Sequence, residues 1–152
     1  MNEPFTVPLS KLPFLVEIHE ISEGPYKIPF SVECRFLVHA SPCMGYRFDL
    51  DGKTVAYCPD TGICNNALLL AEDADLLITE CSHKPGEQSP EWPHLNPQDA
   101  AEIAWRAKAK RLALTHFDAG RYTTIQERLD AAKSATNFND IAVGRDDLML
   151  VL

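Results

Sequence analysis

At 152 residues, 45% hydrophobic and 24% charged, the chain has the length of one domain and enough apolar content for a packed core. Its net charge of −8 gives no general attraction to nucleic acid, although an acidic chain can take a phosphate where metal ions supply positive charge. No basic-then-apolar leader opens the chain and no apolar run is long enough to cross a bilayer, so a cytoplasmic protein without a membrane segment is expected.

Residues 1–13 hold three prolines, Pro4, Pro8 and Pro13, and read as an extended lead-in. Phe14 to Ile21 alternates from Leu15 onward and predicts a strand, with His19 among its polar positions and without assigned chemistry. Ser22 to Pro25 reads as a turn, and Lys27 to Val38 as one strand bent near Pro29. Met44 to Leu50 and Thr54 to Cys58 alternate as half-buried strands do. Asp51-Gly52 between them is the dipeptide that best tolerates a two-residue hairpin turn. Asn65 or Asn66 caps a short helix through about Ala71, and Leu76 to Thr79 predicts a buried strand ending at Glu80. Cys81 to Pro93, rich in Pro, Gly, Ser and charge, is a long loop of the kind that more often carries function.

Asn96-Pro97 opens a helix over 98–109 with a small-residue face of Ala100, Ile103, Ala104 and Ala107. Arg111 to Thr115 is a strand leading to His116. Thr124-x-x-Glu127 fits a capping box and starts a helix to about Ala135. Ile141 to Val143 and Leu148 to Val151 close the chain as short strands around the turn 144–147. The cysteines at 34, 43, 58, 64 and 81 are odd in number and form no CxxC pair. They read as reduced, mostly buried thiols, with Cys43, Cys58 and Cys81 near enough to the candidate site for adventitious metal binding or oxidation.

The chemistry gathers where strands end. His39, Asp60 and His116 each follow a strand, and a neutral imidazole or a carboxylate held there is a ligand type for zinc or a similar divalent ion. The run from Val38 to Gly62, VHASPCMGYRFDLDGKTVAYCPDTG, resembles the middle of a metallo-β-lactamase-fold hydrolase of the ribonuclease Z and phosphodiesterase branch. Ile78-Thr79-Glu80-Cys81 resembles that family's HEAT segment, His94-Leu95-Asn96 its HST segment, and Leu114-Thr115-His116-Phe117 its last histidine motif. The family's principal metal motif, His-x-His-x-Asp-His, occurs nowhere in the chain.

The resemblance implies an α/β fold: half of an αββα sandwich, a mixed sheet with helices on one face. Residues 1–152 would form a single domain matching the carboxy-terminal half of the family domain. It implies metal ligands His39, Asp60 and His116, with Asp60 shared between two ions. Zinc is foremost, manganese or iron remain alternatives, and a hydroxide held between the ions is the nucleophile. It implies a catalytic His94 near the scissile phosphate, oriented by Glu80. Pro59 stands where the family usually has glycine, and it restricts the backbone before Asp60. His83 and Asp118 read as solvated loop groups, His83 being a second candidate for substrate contact. Trp92 and Trp105 read as packing residues, and Arg121 and Tyr122 either as phosphate contacts or as an exposed loop edge.

The expected function is a metal-dependent hydrolase, foremost a phosphodiesterase, active once residues outside the chain complete its site. A non-catalytic metal-binding or scaffold remnant is the alternative, and thioester or lactone hydrolysis is the alternative within enzymes. A lone half would expose an apolar sheet face on the order of several hundred Å², more than a soluble monomer usually shows. A second copy or a separate amino-terminal half is therefore expected to cover it, unless the chain is a truncated form of a longer protein.

Overall fold

The computed structural model describes residues 8–135 and 137–152, so the first seven residues of the expected lead-in lie outside it. Strands β1 (Gly24–Lys27), β2 (Ser31–Phe36), β3 (Met44–Leu50), β4 (Lys53–Cys58), β5 (Leu76–Glu80), β6 (Leu112–Thr115) and β7 (Ile141–Val143) lie side by side in chain order. Pairing is antiparallel from β1 to β4 and parallel from β4 to β7. The change follows from the connections, because tight turns return a chain antiparallel while crossover helices return it parallel. Asp51 and Gly52 both take positive φ, 50° and 79°, as a two-residue turn between Leu50 and Lys53 requires.

The crossovers are α1 (Asn65–Ala71), α2 (Pro97–Arg106) and α3 (Ile125–Lys133), and they share one face of the sheet. Register sets Ala56, Leu77 and Leu112 in one row and Cys58, Thr79 and Leu114 in the next. Against these rows pack Ala67, Leu70 and Ala71 of α1 and Ala100, Ile103 and Ala104 of α2. A Cβ on Gly45 would fall 2.6 Å from Leu70 Cδ1, so the missing side chain lets α1 approach β3 closely. Arg47 Nη1 donates to the carbonyls of Leu70 and Glu72 at 2.7 and 2.6 Å, satisfying the negative end of α1. The expected α/β half-sandwich is thus present. The opposite face, with Tyr46, Phe48, Val55, Tyr57 and Ile78, carries no helix among the described residues, and Tyr57 is 39% exposed.

Four local expectations fail. Residues 14–21 form no strand: Leu15 and Ile18 are 85% and 74% exposed, because alternation makes a strand only where a neighbour pairs with it. Lys27 to Val38 is not one bent strand, since Pro29 cannot donate to a ladder and the chain instead turns at Ile28–Phe30, making β1 out of the expected turn. The second helix stops at Arg106 rather than at 109, where Lys108 turns left-handed at φ 55°. Leu148 to Val151 forms no strand, although the Val151 carbonyl accepts from Arg111. No helix among the described residues is long and apolar enough to cross a membrane.

Candidate metal centre

In open α/β sheets the carboxyl ends of parallel strands point their loops into a common crevice. Here Asp60 lies just beyond β4, Glu80 ends β5 and His116 follows β6. Register holds the three ends level, with Cys58 opposite Thr79 and Glu80 opposite Thr115. His39 arrives from the loop after β2, and His94 from the long loop between β5 and α2. Asn96 follows as the cap of α2, its side-chain oxygen accepting from the N–H groups of Gln98 and Asp99.

Glu80 forms the floor and is fully buried. Its Oε1 accepts from Thr61 N at 3.0 Å, Leu95 N at 3.1 Å and His94 Nδ1 at 2.7 Å, and its Oε2 from Ser82 N at 2.8 Å. Because His94 gives Nδ1–H to this carboxylate, its Nε2 is left free. His116 Nδ1 stands 3.3 Å from Asp60 Oδ1 and 3.9 Å from Glu80 Oε2, in a left-handed conformation at φ 52°. His39 Nε2 stands 3.9 Å from Asp60 Oδ2, and its Nδ1 lies 3.1 Å from the Pro93 carbonyl. The two oxygens of Asp60 therefore face different histidines. The His94 ring stands between them, 4.9 Å from that of His39 and 5.6 Å from that of His116.

All five residues singled out in the sequence meet at this rim. The tightest group is Asp60, His94 and His116, whose ligand atoms lie within 4.8 Å of one another, so His94 stands nearer a candidate ion than its catalytic assignment alone implied. Imidazole nitrogens and a carboxylate fit a divalent cation of the zinc, manganese or iron type, and three donors leave room for further ligands. The nearby thiols are held toward their protonated form. Burial first, then Cys64 and Cys43, push Cys58 up to about 12, while burial and Glu80 raise Cys81, and burial and Asp60 raise Cys43.

Several neighbours differ from their expected roles. His83 is not solvated but 4% exposed, with Nδ1 buried and unpartnered among the described residues. Its ring meets His94 edge-on at 5.4 Å, and burial, followed by Arg121, holds its pKa below the ordinary histidine value. Tyr122 is no phosphate contact: it is buried, and its hydroxyl donates to the His83 carbonyl at 2.8 Å. Arg121 is committed to Glu87 and Asp118, at 2.7 and 2.6 Å. Trp92 and Trp105 are 55% and 58% exposed rather than packed, Trp92 lying edge-on to His39 at 5.3 Å. The Thr61 amide was overlooked because a backbone donor has no residue-type signal. An Asp-Thr-Gly run directly after a strand was the available clue.

Residues 2–117 match the family described as Beta-lactamase superfamily domain. Ribonuclease Z of Methanothermobacter thermautotrophicus is 39% identical over 102 residues, covering 66% of this chain and 32% of that protein. Ribonuclease Z of Thermobifida fusca is 37% identical over the same length, with the same shares covered. The chain thus spans about 32% of the length of these curated relatives. Among solved structures, the metallo-beta-lactamase fold protein YhfI of Bacillus subtilis superposes with TM-score 0.72 at 25% identity, covering 84% of this chain and 52% of that one. The short form of human tRNase Z does so with TM-score 0.59 at 25% identity, over 78% and 42%. The motif order, the half-sandwich and these likenesses agree: the chain belongs to the beta-lactamase superfamily, in the ribonuclease Z-like branch of the metallo-β-lactamase fold.

Proposed function

We infer that this chain supplies part of the divalent-metal site of a hydrolase that cleaves phosphodiesters. One observation carries the reading: Asp60 turns one oxygen toward His116 and the other toward His39, as a carboxylate shared by two cation positions would. His39, Asp60 and His116 are the ligands. Zinc is the first candidate, and up to two ions are bound. When bound, such ions supply Lewis acidity for a phosphoryl oxygen and activate water at neutral pH.

The chain's own residues do the rest. Glu80 fixes the His94 ring through Nδ1 and balances its charge when the ring carries a proton. His94 Nε2, left free by the Nδ1 bond to Glu80, holds the proton for the departing oxygen. The ribonuclease Z relatives support a phosphodiester over a thioester or lactone. The diphosphatase of the PhnP family, at 18% identity, adds only the fold.

No His-x-His-x-Asp-His string is present, so the remaining ligands come from outside this chain. The bare sheet face around Tyr46, Phe48 and Tyr57 is where an amino-terminal half, or a second copy, packs. The absent string also favours a second reading, a metal-binding remnant without catalysis.

Metal analysis and solution mass of the purified chain come first, followed by hydrolysis of bis-p-nitrophenyl phosphate with and without an added amino-terminal half. The completed protein should hydrolyse the ester and its Asp60→Ala variant should not. Metal bound without turnover, even after completion, would establish the remnant instead.

A further inference from the structure

We propose that Gly62 and the Pro93 carbonyl together set the metal-binding tautomer of His39, which makes Gly62 a positioning residue of the centre although it has no side chain. The proposal rests on the reading of His39 as a ligand. The His39 side chain is only 6% exposed, and its Nδ1 lies 3.1 Å from the Pro93 oxygen. A carbonyl only accepts, so Nδ1 carries the proton and the lone pair of the neutral ring sits on Nε2. That nitrogen is the one facing Asp60 Oδ2.

The Pro93 carbonyl reaches His39 because its loop lies directly on Gly62. A Cβ built at residue 62 would fall 2.9 Å from Pro93 Cβ, closer than real Cβ atoms approach, whereas Pro93 Cα would be at an ordinary 3.9 Å. Gly62 is not in the left-handed region, so its conformation makes no demand for glycine, and the Pro93 contact is the steric reason for it. The Gly62 N–H donates to the Val38 carbonyl at 2.8 Å, fixing the backbone immediately before His39. Residue 62 thus holds the histidine from two sides: through the strand end that carries it and through the loop that orients its ring. The Trp92 indole, edge-on to the ring, closes a third side. Among the described residues His116 has no such carbonyl partner, and its side chain is 51% exposed.

The test uses the full 152-residue chain and reads the His39 tautomer by long-range proton–nitrogen correlation NMR without metal, at about pH 8, where an ordinary imidazole is neutral. Wild type should show the Nδ1–H form. Gly62→Ala should mix the tautomers and weaken cobalt(II) binding about tenfold to a hundredfold, as loss of an outer partner does elsewhere. Gly62→Ala combined with Pro93→Gly removes the clash while keeping the carbonyl, and should restore both.

An unchanged tautomer in Gly62→Ala, or a double variant no better than the single one, overturns the proposal. If Gly62→Ala alone does not fold, the double variant decides: an Nδ1–H ring supports the clamp and an Nε2–H ring overturns it. With the wild-type ring in the Nδ1–H form, a His39→Ala variant that matches wild type in cobalt affinity overturns the reading of His39 as a ligand. That failure is distinct from failure of the clamp because the tautomer is read without metal.

Discussion

The floor of the centre and its rim each hold one carboxylate, and the two are treated in opposite ways. Glu80 on the floor is sealed from water and receives three backbone amides and an imidazole. Asp60 on the rim has a side chain 39% exposed, and among the described residues its oxygens meet imidazole nitrogens and no backbone N–H. A carboxylate whose lone pairs are already used by amides is part of the scaffold. One whose lone pairs remain open can receive a cation. The same functional group therefore serves as structure in one place and as a candidate ligand a few ångströms away, and the number of donors around it makes the difference.

Substitutions separate the two. Glu80→Ala, which strands three amides and the His94 ring, should cost about 3–5 kcal/mol in urea unfolding, the range for removing one partner of a buried charged pair. Asp60→Ala should weaken zinc or cobalt binding at least about a hundredfold, about 2.7 kcal/mol. Its unfolding free energy should stay within about 0.5 kcal/mol of wild type, as for ordinary surface substitutions. Similar destabilisation by both variants would erase the distinction between floor and rim.

Tyr122→Phe tests how far the floor extends. It leaves the His83 carbonyl without its donor and should cost about 1–2 kcal/mol, with metal affinity unchanged. The smallest effect is electrostatic. The Thr123 hydroxyl, followed by the amides of Thr123 and Thr124, holds the Glu127 carboxyl below its ordinary value, and the Gly120 amide does the same for Asp118. Each group binds its proton more weakly in the folded chain than in the unfolded one. The stabilisation is therefore complete above the ordinary carboxylate value, about 4, and is lost as the pH falls through and below it. Thermal midpoints measured against pH should decline there, and less steeply in Glu127→Gln.

Much of the rim could be read from the sequence, because its residues follow strands whose alternation is clear. Thr54 to Cys58 and Leu76 to Thr79 gave away the positions of Asp60 and Glu80, and the capping patterns at Asn96 and Thr124 marked two helix starts within a residue. The floor was far less legible. Nothing in the letters says that Thr61, Ser82 and Leu95 send backbone amides to one oxygen pair, or that Tyr122 seals His83. Those contacts join residues brought together by crossovers and have no local period. The false strand at 14–21 failed for the converse reason: it had the pattern without a partner.

The left-to-right order of the strands has a bearing on how the molecule comes into being. Each strand borders the one made just before it, so assembly can advance as an orderly accretion in step with synthesis, each strand docking on one already made. Glu80 is laid down with β5, one strand ahead of His116, which arrives only when β6 docks. A nascent chain would thus build a sound scaffold before it could capture an ion.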